Sequence, residues 1–255
     1  MANAFDEAYF QDGSERGTQY RNYLEGAKLN RTYFEIAQTI VELFRPRRTL
    51  EIGCATGAIV SHLTTFDVDA HGVDVSEWAV QNSLAPSVQV ASAAELPFED
   101  NSFDVVYSVH ALEHLPSDIK DKALAEISRV CSGFQFHLIP MLESGPYVGD
   151  RFGHLLNLRT DPTHNLLYER EWWIDRFGEN QWVDIGARIA FVHDNPHFEL
   201  SACQILLGRE EASAELLRKV ANHNFAAAEA LSLALNGKPG PGLDVHIRRL
   251  RGEDV

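Results

Sequence analysis

The sequence predicts an α/β fold: a doubly wound, mostly parallel sheet of seven strands with helices on both faces, a helical segment before it and a helical extension after it. Three observations carry this expectation. Short apolar runs alternate with helix-period segments between residues 48 and 140. A glycine-bearing turn, TLEIGCATGAIV at 49–60, joins the first such run to the first such helix. The chain's 255 residues, 45% of them hydrophobic, are enough for a full core in one large domain with a small appendage.

Residues 28–44 place Phe34, Ala37, Ile40, Val41 and Phe44 at three- and four-residue spacing, one apolar face of a helix that Pro46 stops. RTLEIG (48–53) reads as a short buried strand and GAIVSHLTTF (57–66) as the helix after the turn. The alternation continues with strand AHGVDV (70–75), helix SEWAVQNSL (76–84), strands VQVAS (88–92) and FDVVYSV (103–109), helix PSDIKDKALAEISRV (116–130) and strand FQFHLIP (134–140). Residues 141–164 carry Gly, Pro and Arg without a period, and a loop that long in a compact domain is more often functional than idle. A helix over 169–180, strands near 182–192 and 200–207, and a long helix over 210–237 that halts at KPGPG complete the chain.

Charge and composition narrow the function. A formal net charge of −15 repels a polyanion, which argues against DNA or RNA as substrate. The basic clusters Arg45, Arg47, Arg48 and Arg248, Arg249, Arg251 read as solvated helix ends rather than a phosphate patch. Neither a secretory leader nor a membrane-length apolar run is found, and Cys54, Cys131 and Cys203 lack any CxxC spacing. A soluble cytoplasmic protein in a reducing compartment, with no membrane partner, is expected.

In a doubly wound sheet the ligand sits beyond the carboxyl ends of the strands where strand order reverses, which is where the 49–60 turn falls. Gly53 permits the tight turn, and Gly57 lets the helix start approach strand and ligand closely. Asp74 ends the second strand, 23 residues after Glu51, where an acid hydrogen-bonds ribose hydroxyls. A ribose-containing ligand follows. The dinucleotide pattern G-x-G-x-x-G is not met, because Gly53-Cys54-Ala55-Thr56-Gly57-Ala58 lacks the second and third glycines. A nicotinamide-dependent oxidoreductase or epimerase is therefore the weaker reading.

The turn resembles motif I of the class I S-adenosylmethionine (SAM) methyltransferases, an acidic and an apolar residue followed by G-x-G-x-G, with Ala55 in place of the middle glycine. GVDVSEWAV resembles the family's acidic strand end, and AAELPFEDNSFDVVYSVHALEHLP (93–116) the segment through its third and fourth strands. The resemblance covers roughly residues 48–140 and implies a Rossmann-like fold with SAM as cofactor. It places Glu51, Gly53, Cys54 and Gly57 at the methionine and ribose of the cofactor, and Asp74 with Val75 at the ribose diol. Ser92, Ala93 and Glu95 fall near the adenine, and Val109 at the end of the fourth strand; Ser92 lacks the charge of the aspartate many relatives carry there. Trp78 is either a wall on the adenine face or core.

HALEHLP (110–116) falls beside the sulfonium in that comparison. His110 is the first candidate for the base that takes a proton from an oxygen acceptor, with His114 and His164 as further catalytic candidates; the alternative for His110 is a hydrogen bond to cofactor or backbone. The set His110, Glu113, His114 and His164 is similar to the divalent-metal set of small-RNA 2′-O-methyltransferases, with histidine for the first glutamate. The same Glu-His pair also resembles metal-free quinone-biosynthesis relatives, the branch taken here, so no metal is expected, and Glu113 and His114 would instead cap the next helix. RTDPTHNLLYEREWW (159–173) resembles a segment of bacterial small-molecule methyltransferases that crosses the substrate pocket, which implies substrate contacts from Asp161 and Trp173. His137 reads as a core histidine.

By the same resemblance residues 1–46 form a helical lid whose Tyr20 and Tyr23 line the acceptor site beside Tyr9 and Phe10, residues 47–208 the SAM-binding core, and 209–255 the extension. The expected activity is methyl transfer to a small-molecule acceptor, a metabolite or natural product, with oxygen favoured over nitrogen; a SAM-binding protein without turnover is the non-enzymatic alternative. Helix 210–237 has enough alanine and leucine to pack internally or against a second copy in a homodimer.

Overall fold

A computed structural model describes residues 4–18, 20–142, 161–191, 204–210 and 214–236. Most of the expected 141–164 loop, Cys203, the KPGPG stretch and the three C-terminal arginines lie outside these residues.

Strands β1 (Arg48–Ile52), β2 (Asp69–Asp74), β3 (Val88–Val90), β4 (Phe103–Val109), β5 (Cys131–Leu138), β6 (Val183–Asp184) and β7 (Gln204–Gly208) form one sheet in the order β3-β2-β1-β4-β5-β7-β6. The first five are parallel, β7 runs antiparallel to β5, and β6 antiparallel to β7. The mostly parallel, seven-stranded sheet is the predicted one. Chain order moves outward from β1 to β3 and then returns to β4 on the other side of β1, so the reversal lies between β1 and β4. The register Ile52↔Ser108 brings the turn after β1 level with the end of β4.

Side-chain alternation with period two separates the layers. Leu50, Ile52 and Val106 face a core shared with α6 (Lys120–Val130) and α7 (Arg170–Gly178), in which Leu124, Ile127, Trp173 and Phe177 are fully buried; Phe103, before the register shift between β4 and β5, joins the same core. Tyr107 and Phe136 face the opposite core, built with α3 (Arg31–Phe44) and α4 (Ala58–Thr64) through Ile36, Ile40, Val60 and Leu63. Each such side chain contributes about 1.5–3 kcal/mol on full burial. α8 (Ala214–Asn236) buries Leu216, Val220 and Ala227, while Leu217 is exposed, and Asn224 joins it to the 188–190 segment through Arg188 O and Ala190 N–H.

Several elements differ from expectation. The helix expected over 28–44 is two, α2 (Tyr23–Leu29) and α3, because Asn30 accepts the Thr32 N–H (3.0 Å) as an N-cap. The buried stripe of α3 is Tyr33, Ile36, Ala37, Ile40 and Leu43; Phe34 lies at the rim, 44% exposed, against His62 and Phe66. α6 starts four residues later than its pattern, at Lys120, because 116–119 form a turn closed by Ile119 N–H to Pro116 O. The strand expected near 182–192 ends at Asp184: Gly186 takes φ +69° and turns the chain off the sheet. α5 (Glu77–Gln81) starts at the Ser76 cap, and α1 (Glu7–Gln11) at the Asp6 cap. Among the described residues no helix is long and apolar enough to cross a membrane.

Candidate functional site

A cavity of about 650 Å³ opens at the carboxyl ends of β1, β2, β3 and β4. Its floor is the turn after β1. Gly53 has φ +68°, and a Cβ there would lie 2.4 Å from Cβ of Ala111 in the turn after β4, so glycine is required by the meeting of two strand ends. Ala55 also sits in the left-handed region, φ +47°, and its N–H donates to Asp74 Oδ2 at 2.7 Å. That bond holds the alanine in a conformation that favours glycine. Gly57 serves β3, since a Cβ on it would meet Val88 Cγ2 at 2.7 Å.

Asp74 is the carboxylate of this floor. Its Oδ1 accepts the Ser76 N–H (2.8 Å) and its Oδ2 the Ala55 N–H, which fixes both oxygens and leaves lone pairs for hydroxyl donors from the cavity it lines. Burial pushes its carboxyl upward, against the two backbone donors that favour the charged form.

At the end of β4, His110 has φ +50° and donates its N–H to Leu138 O at 2.9 Å. A bulky residue in that conformation is strained by about 1–3 kcal/mol and marks a place the surroundings over-determine. The turn Leu112–His114 follows, and its Glu113 is fully buried. His110 Nδ1, His114 Nε2 and His164 Nε2 stand 3.6, 3.9 and 4.0 Å from Glu113 Oε1. His164 reaches this group because Asn165 and Leu166 donate their N–H groups to Glu113 O at 2.7 and 2.9 Å. Burial raises the Glu113 carboxyl, but His110 and the charges of His114 and His164 outweigh it and the net shift is downward. His164 is lowered by its own burial.

The N-terminal segment roofs the cavity with Phe5, Tyr9, Phe10, Tyr20 and Tyr23. Ser76 Oγ donates to Phe5 O (2.6 Å), and Tyr9 Oη donates to Asp161 Oδ2 (2.7 Å), so the roof is bonded to both sides of the opening. Asp161 Oδ1 accepts Thr163 N–H (2.8 Å) and Thr163 Oγ1 (2.6 Å), an Asx turn at Pro162.

Of the residues singled out in the sequence, Gly53, Asp74, Val75, Ser92, Ala93, Val109, His110, His114, Tyr20 and Tyr23 line the cavity. Others do not. Cys54 is buried, its Sγ against Gly72, whose missing side chain makes the room. Glu51 lies beneath the floor, where it accepts Tyr107 Oη (3.2 Å) and burial, then the Asp74 charge, raises its carboxyl strongly. Glu95 is exposed, with its N–H closing a turn onto Ser92 O. Trp173 is fully buried under the sheet with Tyr168 and Trp172, and Asp161 and His164 stand behind the wall. Trp78 stacks on Phe10 of the roof at 5.3 Å. Neither Glu113 nor His114 caps α6: among the described residues the Glu113 oxygens make no hydrogen bond and face the three imidazoles instead, and His114 Nδ1 bonds Thr163 Oγ1 at 2.7 Å. Phe5, Tyr33, Thr163 and Asn165 line the cavity without having been read as site residues; Tyr33 shares the α3 stripe with Ile36 and Ile40, a periodic signal indistinguishable from core.

The methyltransferase-domain family model matches residues 50–133. A sterol 4-C-methyltransferase of Caenorhabditis elegans is 28% identical over 159 residues, 56% of this chain and 45% of the relative. An ajmaline N-methyltransferase of Rauvolfia serpentina is 31% identical over 99 residues, 34% of this chain and 33% of the relative. An O-methyltransferase of Aspergillus nomiae is 36% identical over 97 residues, 34% of this chain and 42% of the relative. The chain thus spans less than half the length of these relatives. A solved SAM-dependent methyltransferase of Thermotoga maritima, described as a possible histamine N-methyltransferase, shares the fold with a TM-score of 0.54 at 19% identity, over 74% of this chain and 94% of that one. The relatives agree on the transferred group and differ in the atom that receives it. The matched segment runs from β1 into β5 and holds every strand end that borders the cavity, and so the chain carries a class I SAM-dependent methyltransferase domain with S-adenosylmethionine as its cofactor.

Proposed function

We propose that the chain methylates an oxygen of a small apolar acceptor, a metabolite or natural product, and does so in the cytoplasm, a setting that suits the buried free thiols of Cys54 and Cys131. One observation carries the reading: contact between Gly53 and Ala111 sets His110 and His114 beside the cofactor turn, on the wall of a cavity roofed by aromatic rings. The residues present fit the cofactor, since Asp74 offers a half-buried, backbone-fixed carboxylate for a ribose diol. Gly53 and Ala55 would lie along it, and Val90, Ala91 and Ala93 would wall its base. Bound SAM supplies an electron-poor methyl group. The chain's own contribution is to orient the acceptor against it, to exclude water beneath the Phe5–Tyr23 roof, and to take the acceptor's proton at an imidazole nitrogen of His110.

The test is incubation of the full-length chain with methyl-labelled SAM and a panel of phenols, quinols, hydroxylated polyketides and amines. Label in an O-methyl product supports the reading, and label confined to amines replaces it with N-methylation. That second reading has its own support: the face-rich aromatic roof of Tyr9, Tyr20 and Tyr23 suits a cationic amine.

A further inference from the structure

We propose that the acceptor carries a cationic ammonium group, seated under the rings of Tyr9, Tyr20 and Tyr23 and apart from the oxygen that receives the methyl. The inference rests on the reading of methyl transfer to an oxygen of a small acceptor and adds the charge by which that acceptor is chosen.

The first reason is the charge of the walls. Among the described residues no lysine or arginine lines the cavity, whereas the Asp74 carboxylate does. Asp161 is buried behind the roof, and its donors among the described residues are neutral: Tyr9 Oη to Oδ2, and Thr163 N–H and Oγ1 to Oδ1. Such a carboxylate projects its charge into the low-dielectric space it borders. Glu113 adds less, because three imidazoles face it. The roof tyrosines register the potential. Burial first, then Tyr33 and the Asp161 charge, push the Tyr20 hydroxyl above its ordinary range, and burial, Tyr20 and Asp161 do the same at Tyr9. A field that opposes a phenolate attracts an ammonium and repels a phosphate or carboxylate.

The second reason is the roof itself. Tyr9, Phe10, Tyr23 and Tyr20 form a closed circuit with neighbouring ring centroids 5.0, 5.2, 5.4 and 5.3 Å apart and planes inclined by 81°, 65°, 81° and 50°. Rings so steeply inclined to one another offer faces as well as edges to the space they line, and a cation within about 6 Å of a ring face is attracted by its quadrupole. Tyr9 gives its hydroxyl hydrogen to Asp161, so its oxygen is otherwise an acceptor only, as an ammonium N–H requires.

The third reason separates the cation from the reacting atom. A protonated nitrogen has no lone pair with which to attack the methyl, so a cation held by the roof is a recognition group. Phe5 stands between His114 and Tyr9, its centroid 5.7 and 5.0 Å from theirs, and keeps the circuit one ring away from the histidine wall. The acceptor that fits has an oxygen at one end, an apolar body and a positive charge at the other.

The test is calorimetric titration of the full-length chain, loaded with S-adenosylhomocysteine so that the cofactor end is filled without a sulfonium. The titrants are tyramine, 4-propylphenol and 3-(4-hydroxyphenyl)propionate, which put a positive, a neutral and a negative group on one phenol frame. Tyramine should bind about 5–30-fold tighter than 4-propylphenol, and the propionate weakest. Tyr20→Leu, which removes a ring, and Asp161→Asn, which removes a charge, should each cut the tyramine preference by about threefold or more. Circular dichroism checks that each variant is folded, and Asp161→Asn decides if Tyr20→Leu is not. Tyramine binding no tighter than 4-propylphenol, or a preference that neither variant alters, overturns the inference. Labelled SAM tells this failure from that of the underlying reading: O-methylation of 4-propylphenol without a preference for tyramine leaves methyl transfer standing and removes the cationic acceptor, whereas a tyramine preference without label on its oxygen supports the cation site and counts against methyl transfer.

Discussion

Gly53→Ala should destabilise the protein by about 2–5 kcal/mol, and the structure divides that cost into two parts. At φ +68° an alanine bears a left-handed penalty of roughly 1–2 kcal/mol. Its Cβ would also lie 2.4 Å from Ala111 Cβ, more than 1 Å inside the roughly 3.5–4.0 Å carbon contact optimum, and relieving such overpacking costs roughly 1–3 kcal/mol more. The second part depends on one neighbour, because the next nearest atom, Ala111 Cα, is at an ordinary 3.6 Å. Ala111→Gly alone should cost about 0.4–1 kcal/mol through the unfolded chain. The double variant should therefore be more stable than the sum of the singles predicts, with a coupling of about 1–3 kcal/mol. Urea unfolding of the four proteins, followed by circular dichroism, measures this directly. A Gly53→Ala cost under about 0.5 kcal/mol, or strict additivity in the cycle, would refute the claim that glycine is needed where the turns after β1 and β4 meet.

Asp74→Ala should weaken SAM binding by about 1–3 kcal/mol, the loss of a charge-assisted partner, and should also loosen Ala55, whose N–H it holds; calorimetry that returns the wild-type affinity removes Asp74 from the ribose. His137 is fully buried, accepts from Ser108 Oγ at Nδ1, donates from Nε2 to Gln135 Oε1 and stacks on Phe177, and burial drops its pKa to about 3. Below pH 6.5 the unfolded chain takes up a proton here that the folded chain refuses, so the contribution is intact above about 6.5 and is progressively lost, by about 1.4 kcal/mol per pH unit and a few kcal/mol in all, as pH falls toward 3. His137→Gln should flatten the acid limb of stability against pH, and an unchanged limb would contradict a neutral buried imidazole. Tyr9→Phe removes the donor to buried Asp161 Oδ2 and should cost about 1–3 kcal/mol while raising KM through a looser roof; steady-state kinetics with unchanged KM would show that this bond does not hold the roof shut.

What was legible in the sequence follows from how local the signal is. β4 is Phe103–Val109 as its alternation requires, and Asp74 and Gly53 were legible because strand end and tight turn are encoded by neighbours in sequence. Helix phase was less so: Phe34 and Tyr33 both fit a stripe on α3, and only the packing of Ile36 and Ile40 on the sheet selects Tyr33. The resemblance to a pocket crossing puts Trp173 against substrate, and only its complete burial assigns it to the core instead. The spacing of His110, Glu113 and His114 was visible, but not that a third imidazole would join them around a buried Glu113, because that depends on His164 and Thr163 arriving from beyond β5. Tyr9 and Asp161 are 152 positions apart, and no pattern in the sequence announces their bond.

Methyl transfer by this chain requires the crevice between the Gly53 turn and Asp74 to hold the adenosyl part of S-adenosylmethionine. A crystal structure of the full-length chain soaked with S-adenosylhomocysteine tests it most directly. Both ribose hydroxyls should lie within hydrogen-bond distance of the Asp74 carboxylate and the sulfur beside the Gly53–Ala111 contact; the product bound elsewhere, or a dinucleotide pyrophosphate taken up in its place, would rule this out.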